Sequence, residues 1–104
     1  MTQGADDQGW VDQDSATVAV DVYWRPGCPF CSVLFRSLRR AGLPMREVNI
    51  WEDPDAAAFV RAHARGNETV PTVDVAGTVL VNPPAKAVLA YAADAGIALG
   101  EPEG

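Results

Sequence analysis

The chain has 104 residues, 48% hydrophobic and 21% charged, which suits one compact domain and argues against wholesale disorder. Its formal charge of -6 comes from the ends: Asp6, Asp7, Asp12, Asp14, Glu101 and Glu103 supply six of the fourteen acids, and the eight that remain are matched by eight Lys and Arg. The sequence carries no basic stripe for nucleic acid, no polybasic membrane anchor and no apolar run near the ~20 residues of a spanning helix.

Residues 1–16, MTQGADDQGWVDQDSA, are polar, aperiodic and rich in Gly and Asp, and predict a flexible acidic tail from which only a Trp10–Val11 pair offers anything to dock. The N-terminus also lacks the charged and apolar regions of a secretory signal, so a cytoplasmic protein is expected. A domain over 17–97 follows, then a short tail over 98–104. In TVAVDVYW, residues 17–24, Val18, Val20 and Val22 recur at period two, a strand pattern. Arg25-Pro26-Gly27 breaks it. From about Pro29, Cys31, Leu34, Phe35 and Leu38 recur at helical spacing, and Gly42 supplies the stop. Arg36, Arg39 and Arg40 read as a solvated face near the negative end of that helix.

MREVNIW is a second strand. In the next segment Asp53 caps a helix opened by Pro54 and ended by Gly66. His63, the only histidine, lies in this helix with no neighbouring Asp or Cys and reads as a structural or surface residue. TVDVAGTVLV gives two strands around a turn at Ala76-Gly77, and NPPAKAVLAYAADAG gives a last helix with prolines in its first turn and Gly96 at its end. The order β-α-β-α-β-β-α predicts an α/β fold, a four-stranded mixed sheet flanked by helices. Strand-helix alternation asks for parallel crossovers and the short hairpin for an antiparallel pair.

The chemistry concentrates in WRPGCPFCSV, residues 24–33, which holds both cysteines of the chain. A structural zinc needs four ligands, and two cysteines with one distant histidine do not supply them, although a metal shared between two chains stays open. A permanent staple is disfavoured in a reducing cytosol, and so short a loop removes little chain entropy. A redox couple remains. Cys28 precedes a helix whose unpaired N–H groups and dipole favour a thiolate, the nucleophile of thiol-disulfide exchange. Arg25 adds positive charge three residues upstream. Cys31, one turn later, is expected to be more buried and is the natural resolving thiol. In TVPTV, residues 69–73, a Val70–Pro71 bond at a strand entrance is a candidate cis peptide. Beside a strand-CPFC-helix unit it would turn the Val70 backbone toward Cys28, where an extended thiol peptide could pair with it.

CPFC after a strand, TVPTV some forty residues on and the element order together resemble the glutaredoxin branch of the thioredoxin superfamily, over about residues 17–96. The resemblance implies a thioredoxin fold and a disulfide reductase with nucleophile Cys28, resolving Cys31, cis-Pro71 and a thiol-binding groove near Arg25, Phe30, Thr69 and Val70. It implies no tightly bound cofactor. Glutathione-using glutaredoxins carry Gly-Gly and an acid after the last strand, where this chain has VNPPAK, so glutathione is the less expected co-substrate. GNETVPTV with LVNPP is similar to the mycoredoxins, which serve mycothiol. The implied partners are thiolated or disulfide-bonded proteins and this small thiol, with the protein a monomer. Three alternatives stand beside that reading: a dithiol donor recharged by a flavoprotein reductase, an iron-sulfur cluster held between two chains, and a module that only binds partners.

Overall fold

Valine at alternate positions builds the first strand, β1 (Val20–Trp24): Val20 and Val22 are fully buried, while Asp21 and Tyr23 face the opposite side. The computed structural model describes residues 19–100, so the acidic tail, Trp10, Val11 and Val18 lie outside the described residues, as do 101–104. Helix α1 (Pro29–Ala41) buries Cys31, Leu34, Phe35 and Leu38, the periodic residues of its sequence. Gly42 closes it at φ 77°, a left-handed conformation that glycine adopts without a Cβ clash, and its N–H donates to the Arg39 carbonyl at 3.0 Å.

Strand β2 (Arg46–Asn49) leads to helix α2 (Pro54–His63), where the Asp53 carboxylate accepts the Asp55 and Ala56 N–H groups, both at 3.1 Å. The helix stops at His63, short of the expected Gly66. Arg65 and Gly66 both take positive φ, and the Gly66 N–H folds back to the Arg61 carbonyl at 2.8 Å. Strands β3 (Thr72–Val75) and β4 (Thr78–Val81) form the hairpin, with Ala76 and Gly77 both at positive φ, as a primed two-residue turn requires. The prolines expected in the first turn of the last helix, α3 (Ala85–Asp94), precede it instead. The residue before a proline is held extended, so Pro83 cannot be helical, and Pro84 is the flanking residue at ψ 157°.

The sheet order is β2-β1-β3-β4. Helix α1 packs beside α3 over the buried valine face. On the other face Phe59 of α2 stacks on Tyr23 with centroids 4.9 Å apart. Only the β1-α1-β2 crossover is parallel; β3 returns antiparallel to β1. The register pairs Tyr23 with Thr72 and Val20 with Val75, so β3 starts where β1 ends. Asn49 stands opposite Trp24 and Val81 opposite Thr72, which brings the connections 25–28, 50–53, 69–71 and 82–84 to one end of the sheet. Residues 98–100, assigned to a tail by the sequence, are exposed, yet the Gly100 N–H donates to the Gly42 carbonyl at 2.7 Å.

Candidate active site

Trp24 ends β1, and Arg25-Pro26-Gly27 turns the chain through a left-handed Gly27 (φ 77°) into Cys28, the extended cap residue of α1. Its Sγ accepts the Cys31 N–H at 3.2 Å, so the sulfur takes the place of the side-chain oxygen that ordinarily caps a helix. From the other side the thiol donates to the Val70 carbonyl at 3.8 Å. The Val70–Pro71 bond is cis. Two contacts hold this loop: the fully buried Thr72 hydroxyl donates to the Thr69 carbonyl at 2.7 Å, and the Asn82 N–H donates to the Pro71 carbonyl at 2.8 Å. The Val70 side chain is buried while its carbonyl turns to Cys28.

Cys31 is 2% exposed. Burial first, and then the hydrogen bond with Cys28, push its thiol up to about 12, against a smaller opposing effect of Arg25. It stays protonated at neutral pH. Both cysteines are free thiols.

Cavities lie on either side of the CPFC turn. One, of ≈ 230 Å³, reaches Cys28 and Cys31 and is walled by Trp24, Arg25, Phe35, Arg39 and Glu47. Trp24 meets the Phe35 ring edge-on with centroids 6.0 Å apart, the Arg39 guanidinium lies 4.9 Å from the centroid of the same ring, and Arg39 pairs with Glu47. The other, of ≈ 320 Å³, runs between Phe30 and Val33 of α1 and the Asn82–Pro84 segment, with Pro71 lining it too.

Arg25, Cys28 and Cys31 line the first cavity and Phe30 and Pro71 the second, with Val70 between them at the Cys28 sulfur. Thr69 lines neither; its carbonyl anchors Thr72. The sequence reading missed Trp24, Phe35, Arg39 and Glu47. Cys31, Phe35 and Arg39 follow at four-residue steps on one face of α1, a signal that could have joined them. Glu47 has no local signal, because only the β1–β2 register brings it there.

A larger cavity, ≈ 650 Å³, lies between β2 and α2 and contains no thiol. There the Tyr23 phenol is raised above its ordinary range, by burial first and then by Asp21 and Asp74. His63 is exposed, with its ring on Phe59. Among the described residues no group of three or more His, Cys, Asp or Glu is placed to hold a metal, and no helix is long and apolar enough to cross a membrane.

A sulfur at a helix start, a backbone N–H on it, and a protonated thiol one turn away compose a unit for disulfide exchange. A family model described as Glutaredoxin matches residues 20–80. A glutaredoxin candidate of Mycobacterium tuberculosis (strain H37Rv) is 39% identical over 75 residues, which cover 71% of this chain and 89% of that one. The crystal structure of the glutaredoxin from Archaeoglobus fulgidus aligns with TM-score 0.61 at 17% identity, over 80% of this chain and 95% of that one. The buckwheat glutaredoxin–glutathione complex aligns with TM-score 0.55 at 20% identity, over 80% and 76%. At such identities the solved structures speak for the fold alone.

Proposed function

The chain belongs to the glutaredoxin family of thiol-disulfide oxidoreductases, and we propose that Cys28 is its attacking thiol and that mixed disulfides between proteins and mycothiol are its substrates. The Cys28 thiolate attacks the small-thiol sulfur, a new S–S bond forms there, the old one breaks, and the protein sulfur leaves as a thiolate that takes a proton from water. The thiolate of a second small-thiol molecule then attacks the small-thiol sulfur on Cys28; an S–S bond forms between the two small thiols, the bond to Cys28 breaks, and Cys28 leaves as a thiolate while the symmetric disulfide departs.

The observation that carries this reading is the Cys28 Sγ, bonded to the Cys31 N–H at 3.2 Å and facing the Val70 carbonyl. The Cys31 N–H at the helix start is aimed at that sulfur, and an extended thiol compound can run along the cis-Pro71 loop. The preference for mycothiol over glutathione rests on residues 82–84. Pro83 and Pro84 have no N–H, and the Asn82 N–H is already given to Pro71, so this segment offers no backbone donor to a carboxylate.

A dithiol cycle, in which Cys31 displaces the partner from Cys28 and a flavoprotein reductase recharges the pair, is favoured by the closeness of the two cysteines. The protonation of Cys31 favours the external thiol instead. The deciding experiment is reduction of a mycothiolated protein by wild type, Cys28→Ser and Cys31→Ser, with mycothiol and its reductase or with glutathione and its reductase. Mycothiol-dependent turnover that survives Cys31→Ser and vanishes in Cys28→Ser is expected. Turnover with glutathione alone would overturn the choice of thiol, and loss in Cys31→Ser would install the dithiol cycle.

A further inference from the structure

The ≈ 230 Å³ cavity beside Cys28 combines two aromatic walls, Trp24 and Phe35, with the Arg39–Glu47 ion pair. That pair is singly bonded: one Arg39 nitrogen meets one Glu47 oxygen. On the opposite face of the same strand Arg46 donates to both oxygens of Asp21, at 2.9 and 3.0 Å, and leaves neither without a partner. Among the described residues the second Glu47 oxygen accepts no hydrogen bond and the rest of the Arg39 guanidinium donates none, while the two side chains stay 36% and 41% exposed. We infer that this cavity is the subsite for the sugar of the small thiol, with Glu47 and Arg39 as the residues that select a polyhydroxylated thiol. The inference rests on mycothiol as the co-substrate.

Mycothiol is an N-acetylcysteine joined through an amide to an aminosugar and inositol, so hydroxyls lie on one side of its sulfur and an uncharged acetyl group on the other. A hydroxyl both donates and accepts. Beside Arg39 and Glu47, one hydroxyl donates to the free carboxylate oxygen while its neighbour accepts from the guanidinium, and both bonds are charge-assisted. Trp24 and Phe35 supply apolar surface for the C–H face of the ring. A carboxylate placed there meets the Glu47 charge, so the pair that accepts a sugar also discriminates against an acidic thiol. The acetyl end takes the other side of the cleft, along Phe30 and Pro71, where residues 82–84 have no free backbone donor. One small thiol thus uses both sides of the CPFC turn.

Continuity with the thiols supplies the geometry. The cavity reaches Cys28 and Cys31, and from Cys31 the wall runs through Phe35 to Arg39 on one face of α1, at about 6 Å per four-residue step. A cysteinyl amide followed by a sugar ring, laid out from the sulfur, arrives at the Arg39–Glu47 pair. At ≈ 230 Å³ the cavity is smaller than the ~300–1,000 Å³ pockets that enclose a whole drug-sized molecule, so it takes one ring and leaves the other in solvent.

The test mixes excess reduced enzyme with a peptide whose single cysteine is disulfide-bonded to mycothiol, to N-acetylcysteine methylamide or to glutathione, and follows the rate constant for release of the peptide thiol. Wild type should react with the mycothiol peptide about tenfold or more faster than with the methylamide peptide, which keeps the amide and lacks the sugar; that is the scale of one charge-assisted hydrogen bond. Glu47→Ala and Arg39→Met should each bring this ratio toward one. A general loss of thiol reactivity or of folded protein lowers both rates together and does not move it. Asp21→Ala, which breaks the bidentate pair on the other face of β2, should leave the ratio at its wild-type value. A wild-type ratio near one, or a ratio indifferent to both Glu47→Ala and Arg39→Met, would overturn the subsite while the choice between mycothiol and glutathione stands on its own comparison. Faster release from the glutathione peptide than from the mycothiol peptide would overturn the choice of thiol and the subsite with it, and no release from any peptide would remove the Cys28 reading as well.

Discussion

At Cys31 the folded chain holds a proton that the unfolded chain releases earlier. Its thiol is pushed from an ordinary value of 9.0 to about 12. Between those values the folded state binds more protons than the unfolded one, so the stabilisation is complete below the lower value and is lost as pH rises through the higher. The urea midpoint of the reduced protein should therefore fall between pH 8.5 and pH 10.5. Tyr23, also raised by burial, contributes with the same sign at the upper end, and Cys31→Ala should remove only the cysteine share of the slope. The same protonation predicts that Cys28→Ser, whose remaining thiol is buried, reacts far more slowly with iodoacetamide at pH 8 than Cys31→Ser does. Equal rates in mass-spectrometric alkylation would contradict the arrangement of the two thiols.

Helices α1 and α2 each begin on a residue whose side chain caps them, and the more separable of the two is Asp53. Its carboxylate satisfies two N–H groups at the start of α2, far from the thiols in sequence and without contact to them. Asp53→Ala should cost about 1 kcal/mol in a urea titration and leave disulfide reduction near its wild-type rate. Cys28 occupies the equivalent position on α1 with a sulfur in place of an oxygen, so under the proposed function stability and reactivity meet in one atom there. The CPFC motif and the strand before it were legible because they are local: period two changes to helical spacing within a few residues. The end of α2 was not. Gly66 was legible as a breaker, but the positive φ of Arg65, which stops the helix at His63, has no signal in its residue type.

A single core joins the sheet to the α1–α3 layer. Leu38 of α1, Val22 of β1, Val73 of β3 and Val88 of α3 are all fully buried. Leu38→Ala should cost roughly 2–5 kcal/mol, a range set by how far the site can collapse. Because the layers share that core, tryptophan fluorescence and far-ultraviolet circular dichroism should report one coincident transition. Two separated transitions would show that the layers unfold independently.

The sequence alone determined the element order, the buried faces of β1 and α1, the Asp53 cap of α2, and the two motifs that meet at the site. These properties depend on residues within a turn or a strand of one another. Tertiary structure decided which end of the sheet each motif reaches. Strand–helix alternation asked for parallel crossovers, but β3 runs antiparallel to β1, and that reversal carries Pro71 to Cys28 rather than to the opposite edge. The partners of Cys28 and Cys31 beyond CPFC followed from the same decision. Glu47 arrives through strand register, and Asn82 to Pro84 arrive through the hairpin, at distances along the chain where no local rule operates.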